Sequence, residues 1–171
     1  LLHLHHTKYL TTYFIQHLEQ YGWSRVSHYF SNNRKKGNPS LCPQTSGEST
    51  ILMPTFVDEN HWVTLARKET NNRILFLYSD DMHNKEIERK IRTLIFHHTD
   101  EEFCPAHAEW INCNSMYYHP HSNECGPHTI LALHIFALHL DPSAHILLPA
   151  MHKNIAQISR TWVATQLANG L

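Results

Sequence analysis

His61-Trp-Val-Thr-Leu-Ala-Arg67, Lys68-Glu-Thr-Asn-Asn72 and Arg73-Ile-Leu-Phe-Leu-Tyr-Ser-Asp80 follow one another without a break. Two apolar runs of strand length around a short polar segment predict an antiparallel hairpin. The register decides which side chains meet. With a loop of Glu69 to Asn72, Lys68 faces Arg73 and His61 lies directly opposite Asp80, with Cβ atoms about 5 Å apart on one face. A loop one residue longer sets Ser79 opposite His61 instead, so two registers are open. Successive strand residues point to opposite faces, and only one of Asp80 and Asp81 is therefore expected to pair with His61.

Outward from the hairpin, Thr50 to Val57 is apolar and partly β-branched and predicts a strand, with Pro54 arguing against a central one. Leu10, Phe14, Leu18 and Tyr21 recur at helical spacing and predict an amphipathic helix within residues 7–21. The Ser-, Gly-, Asn- and Pro-rich stretch 31–49 reads as a long surface loop. Downstream, Ile87, Ile91, Leu94 and Ile95 mark an amphipathic helix over 84–98, and Trp110-Ile-Asn-Cys113 a short strand. Gly126-Pro127 opens a helix through Leu140, with Pro127 in the first turn that suits it. Its apolar residues cover nearly every side, which predicts a helix in the middle of the fold. Ile155, Ile158 and Trp162 mark a last amphipathic helix. Helices around a small central sheet give an α+β fold, in one domain spanning 1–171.

Composition narrows the function. Hydrophobic residues are 42% of the chain and charged residues 17%, which excludes a disordered, solvating tail. A net charge of -1 argues against a nucleic-acid partner bound through phosphate neutralisation. The longest apolar run, Ile130 to Leu140, is broken by His134 and His139 and falls short of the ~18 residues of a membrane span. No signal-peptide pattern is present, and the start at Leu1-Leu2-His3 reads as a piece of a longer protein. Cys42, Cys104, Cys113 and Cys125 form no C-x-x-C pair, and reduced thiols in a nuclear or cytoplasmic monomer are the expectation.

Cys125 stands just before the helix expected at the centre. First-turn N–H groups there have no helical partner and the dipole is positive at that end, which favours an anion. A cysteine at this place is also read as a small buried apolar residue. A thiol nucleophile needs a base, which His61 could supply, and Asp80 could hold the imidazole tautomer. Gly126 permits close approach of a substrate. A metal reading rests on His119-x-His121-x3-Cys125-x2-His128, whose ligand types suit zinc. That spacing fits no standard zinc module and would consume the nucleophile, so no metal or other cofactor is expected.

His61-Trp62, Tyr78-Ser79-Asp80 and Glu124-Cys125-Gly126 together resemble the ubiquitin-like-protein-specific cysteine proteases, the SUMO-protease and adenovirus-protease superfamily of peptidase clan CE. The resemblance covers roughly Leu10 to Leu140 and keeps the triad order His, Asp, Cys. It implies a papain-like α+β fold of the SUMO-protease type, with a small, mostly antiparallel sheet and a buried central helix starting at the nucleophile. It further implies His61, Asp80 and Cys125 as the catalytic triad and Trp62 as an aromatic lid over a channel that passes a Gly-Gly tail. The backbone N–H of Cys125, with that of Gly126, would serve the oxyanion. Asp81 and Met82 replace the usual Ser-Leu, and Glu124 the usual Asp. His119 stands where the family has the Gln that donates to the oxyanion, and losing such a donor costs on the order of 10²–10³ in rate. Asn112 and Asn114 are alternative donors that match no motif.

The function implied is a thiol isopeptidase or endopeptidase cleaving after glycine, in a ubiquitin-like modifier of the SUMO or ubiquitin type or in a polyprotein. Two other classes compete. A same-clan acetyltransferase would need a basic coenzyme site, and the basic cluster is confined to Arg34-Lys35-Lys36. A catalytically weak or inactive module that binds ubiquitin-like proteins is kept open by His119.

Overall fold

The computed structural model describes residues 7–31, 49–70, 73–113 and 125–137, with residues 160, 161, 164, 165 and 168 beyond them. Its centre is the hairpin. Strand β1 (Thr7–Tyr9) is followed by helices α1 (Phe14–Tyr21) and α2 (Trp23–Ser31), then strands β2 (Ser49–Val57), β3 (His61–Thr70) and β4 (Arg73–Ser79). Helix α3 (Lys85–His98), strand β5 (Glu109–Asn112) and helix α4 (Cys125–Ala137) complete the described elements. The strands form one sheet in the order β1-β2-β3-β4-β5. Its two long pairings, β2–β3 and β3–β4, are antiparallel, and the short edge pairings, β1–β2 and β4–β5, are parallel.

The hairpin register is neither of the two expected. Thr70 pairs with Arg73 and Thr64 with Ser79, so only Asn71 and Asn72 separate the strands and Lys68 sits opposite Leu75. The polar residues Lys68, Glu69 and Thr70 lengthen β3 instead of forming the loop, and Lys68 is buried. Continuing this register sets Asp80 opposite Val63, two residues from His61. A shift of two residues preserves the face of every side chain, whereas a shift of one would reverse it. His61 and Asp80 therefore remain diagonal neighbours on one face, within reach of each other.

Pro54 lies inside β2, opposite Thr64. Among the described residues, the second neighbour, β1, pairs only with Thr50, Ile51 and Leu52, so β2 there has the character of an edge strand at Pro54. The helix expected from residue 7 begins at Phe14, because Thr7–Tyr9 is taken up by the sheet. Gly22, at φ 74°, ends α1 with its N–H on the Leu18 carbonyl, and α2 follows as a second helix that periodicity did not predict. Residues 32–48 of the predicted loop, and Ile155, Ile158 and Trp162, lie outside the described residues.

Two clusters occupy the two sheet faces. Val63, Leu65, Phe76 and Tyr78 pack with Phe14, Leu18, Ile91, Ile95 and Phe103 on the side of α1 and α3. Leu52, Ala66, Leu75, Leu77 and Cys113 pack with Phe136 and Ala137 of α4 on the other. Burying such side chains contributes about 1.5–3 kcal/mol each. Arg67 is buried in the first cluster, where Nε donates to the Phe103 carbonyl at 2.7 Å and its guanidinium lies over the Phe30 and Phe103 rings. α4 is not enclosed on all sides as expected: Ile130 is 42% exposed and Leu131, Leu133 and Ile135 are half-buried. His128, Thr129, Ala132 and Phe136 form its buried stripe against the sheet.

Candidate active site

Asp80 follows the last residue of β4, and the chain wraps around its carboxylate. Oδ1 accepts from His61 Nε2 at 2.8 Å and from the Met82 backbone N–H at 2.9 Å. Oδ2 accepts from the Asn84 N–H at 2.7 Å and the Tyr78 hydroxyl at 3.3 Å. Such a shell of donors favours the charged carboxylate. Burial pushes the Asp80 carboxyl upward, but the His61 bond and the two backbone donors outweigh it and hold it below the usual range. Burial likewise opposes the charged form of His61, and the hydrogen bond and charge of Asp80, with the charges of Asp81 and Asp58, raise it overall. Tyr78 is driven upward by burial and then by Asp80, so its hydroxyl stays a donor.

The bond to Asp80 uses Nε2, and this fixes the ring's division of labour. With Nε2–H donated to the carboxylate, the neutral imidazole presents Nδ1 as its acceptor. Asn84 ties the arrangement to α3: its Oδ1 caps the helix by accepting from the Glu86 and Ile87 N–H groups, while its own N–H holds Asp80. Sequence reasoning missed Asn84, although a polar residue directly before Lys85-Glu-Ile87 carries the signal of a helix cap. His61 itself is delivered by a tight turn in which the Asn60 N–H bonds the Val57 carbonyl and Asp58 and Glu59 have φ of 49° and 62°.

Cys125 is the first residue of α4 and is half-buried. The helix runs along β3: Thr64 Oγ1 donates to the Thr129 carbonyl at 3.3 Å, and Phe136 and Ala137 reach Ala66, Leu75 and Leu77. Its N-terminus is thus directed toward the end of β3 where His61 stands, with Cys125 four residues, about 6 Å along the axis, before Thr129. Trp62 alternates onto the α4 face of the sheet, half-buried, its ring 5.0 Å from that of its cross-strand partner Phe56. A Cβ on Gly126 meets no described atom within 4 Å. Asn112, the alternative oxyanion donor, gives its Nδ2 to Glu88 Oε2 at 2.6 Å, and the same carboxylate accepts from Trp110. His119, Asn114 and Glu124 lie outside the described residues, as does His121 of the zinc reading.

Among the described residues, His61, Asp80 and Asp81 bring metal-ligand atoms within 4.8 Å of one another. Both Asp80 oxygens already accept two donors each, so the set holds an imidazole beside two carboxylates of which one is fully engaged by the protein's own donors. The other described thiols are held protonated: burial pushes Cys113 up to about 12 and Cys104 up to about 11.

A family model described as the RickCE-like catalytic domain matches residues 49–139, just over half of the chain and a span that includes every candidate above. The chain belongs to that family. This RickCE-like domain has the fold of a clan CE protease. The C-terminal Ulp1 protease domain, solved in complex with Smt3, the yeast ortholog of SUMO, is similar over 91% of this chain and 68% of that one, with 17% identity and a TM-score of 0.53. A protease of ASFV is 14% identical with a TM-score of 0.43, covering 57% of this chain and 36% of the other. The chain thus spans about a third of that protease's length. No curated protein matches the sequence.

Proposed function

We propose that the chain is a cysteine peptidase that cleaves after glycine at the C-terminus of a ubiquitin-like modifier or in a polyprotein, through Cys125, His61 and Asp80. The observation that carries this reading is the buried 2.8 Å bond from His61 Nε2 to Asp80, at the end of the strand toward which α4 directs Cys125. The thiol gives its proton to Nδ1 of His61, and the sulfur attacks the carbonyl carbon after glycine. Asp80 holds the resulting imidazolium, which then protonates the leaving amine. Water, deprotonated by the same ring, hydrolyses the thioester and frees the sulfur. The Cys125 N–H and the His119 ring serve the oxyanion, and Trp62, braced by Phe56, covers a channel that admits glycine. Free Cys104, Cys113 and Cys125 suit a reducing nuclear or cytoplasmic setting.

Modifiers of the SUMO and ubiquitin types carrying an electrophile at the terminal glycine test the reading. Labelling is expected in the parent chain and in Cys113→Ala, and is expected to vanish in Cys125→Ala and His61→Ala. Modifier binding with no covalent product would contradict peptidase chemistry, as would transfer of acetyl from acetyl-coenzyme A to Cys125 without cleavage.

A further inference from the structure

Strand alternation predicts that Asp81 turns away from His61, yet Asp81 Oδ1 lies 3.7 Å from Nε2, the nitrogen that Asp80 holds at 2.8 Å. The alternation fails because the strand has ended. After Ser79 the chain folds back, the Met82 and Asn84 N–H groups close on Asp80, and His83 takes a left-handed φ of 52°. Both carboxylates are sealed from water, with side-chain exposures of 0% for Asp80 and 1% for Asp81. Two carboxylates buried side by side repel, and an imidazolium between them offsets that cost. The motif that this segment resembles has serine in place of Asp81, so the second charge is a property of this chain.

We propose that Asp81 is a positioning residue: its carboxylate is a second counter-charge on Nε2 of His61 and stabilises the imidazolium that forms when the ring accepts the thiol proton. The proposal rests on the peptidase reading for the catalytic meaning of that imidazolium. Among the described residues, the charged and titratable groups that act on the ring are Asp58 of the β2–β3 turn, Asp80 and Asp81 of the β4–α3 turn, and Tyr78 of β4 through Asp80. The titratable residues in the first turn of α4, which packs on β3, are Cys125 and His128. The negative charges outweigh the cost of burial and favour the protonated ring. With three carboxylates in reach, His61 keeps its proton to higher pH than one partner would allow. The neutral base that starts the reaction then forms only at more alkaline pH.

NMR titration of the His61 ring, in the parent chain and in Asp81→Asn, Asp81→Ser and Asp80→Asn, tests this without relying on turnover. The midpoint is expected to fall in both Asp81 variants, by less than in Asp80→Asn. The acid limb of kcat/KM on a glycine-linked fluorogenic modifier should move down in step. An unchanged or raised midpoint in a folded Asp81 variant would overturn the proposal, as would loss of fold in both, which marks a structural role only. Failure of the parent chain to take the glycine-terminated probes would refute the peptidase reading and leave the titration result standing. An unmoved midpoint with labelling intact would refute the role of Asp81 alone.

Discussion

Nε2 of His61 is where sequence, fold and chemistry meet, and its charge state gives the first prediction. Folding raises the titration of His61 above 6.5 and lowers that of Asp80 below 3.8. The imidazole's contribution to stability is complete below its unfolded value and is lost as pH rises through the raised folded value. The carboxylate's contribution is complete above its unfolded value and is lost as pH falls through the lowered one. A double-mutant cycle on His61→Ala and Asp80→Ala, read by urea unfolding, should therefore show stronger coupling near about pH 5 than near about pH 9. Equal coupling at both would mean that the folded pair is not ionised. Asp80→Ala alone, which leaves the imidazole buried without its main partner, is expected to cost on the order of 3 kcal/mol. The sharing of a face by His61 and Asp80 was legible in the sequence because parity survives a two-residue error of register. The approach of Asp81 was not, since alternation holds only within a strand and β4 stops at Ser79.

Elements carry predictions of their own. The β2–β3 turn places His61 by holding Glu59 at φ 62°, a conformation that costs a residue with a Cβ about 1 kcal/mol. Glu59→Gly should remove that strain, and after roughly 0.5 kcal/mol of extra backbone entropy it should still raise the thermal midpoint. A lowered midpoint would show that the Glu59 side chain contributes more than its backbone strain. At the start of α4 the described chain does not itself require glycine, because a Cβ on Gly126 meets open space. Gly126→Ala should thus leave stability unchanged or higher by up to about 1 kcal/mol, while peptidase activity falls at least tenfold. Equal loss of stability and activity would mean that Gly126 serves packing and not substrate. Helix α3 and the three long strands were legible from periodicity. Strand β1 was not: three residues joined in parallel to Thr50, Ile51 and Leu52 leave no repeating pattern to read.

Across the whole molecule, the sheet separates two packed layers, and the proposed chemistry lies at the rim where they meet. α1 and α3 cover the face that holds Val63 and Tyr78, while α4 lies on the face of Ala66 and Leu77. The direction of α4 along β3, fixed by the Thr64–Thr129 bond and by Phe136 and Ala137, brings its first residue toward the His61 end. The sequence suggested a helix in the middle of the fold, because apolar residues cover nearly every side of α4. Among the described residues, one stripe of α4 is fully buried, Leu131, Leu133 and Ile135 pack half-buried against the same cluster, and Ile130 remains at the surface. The central claim is that the Cys125 thiol meets Nδ1 of His61. The rate of iodoacetamide alkylation at Cys125, followed by peptide mass spectrometry across pH in the parent chain and in His61→Ala, tests it most directly. Alkylation near neutral pH is expected to be fast and to slow by about tenfold or more in His61→Ala, toward the profile of an ordinary thiol. The same profile in both proteins would contradict it.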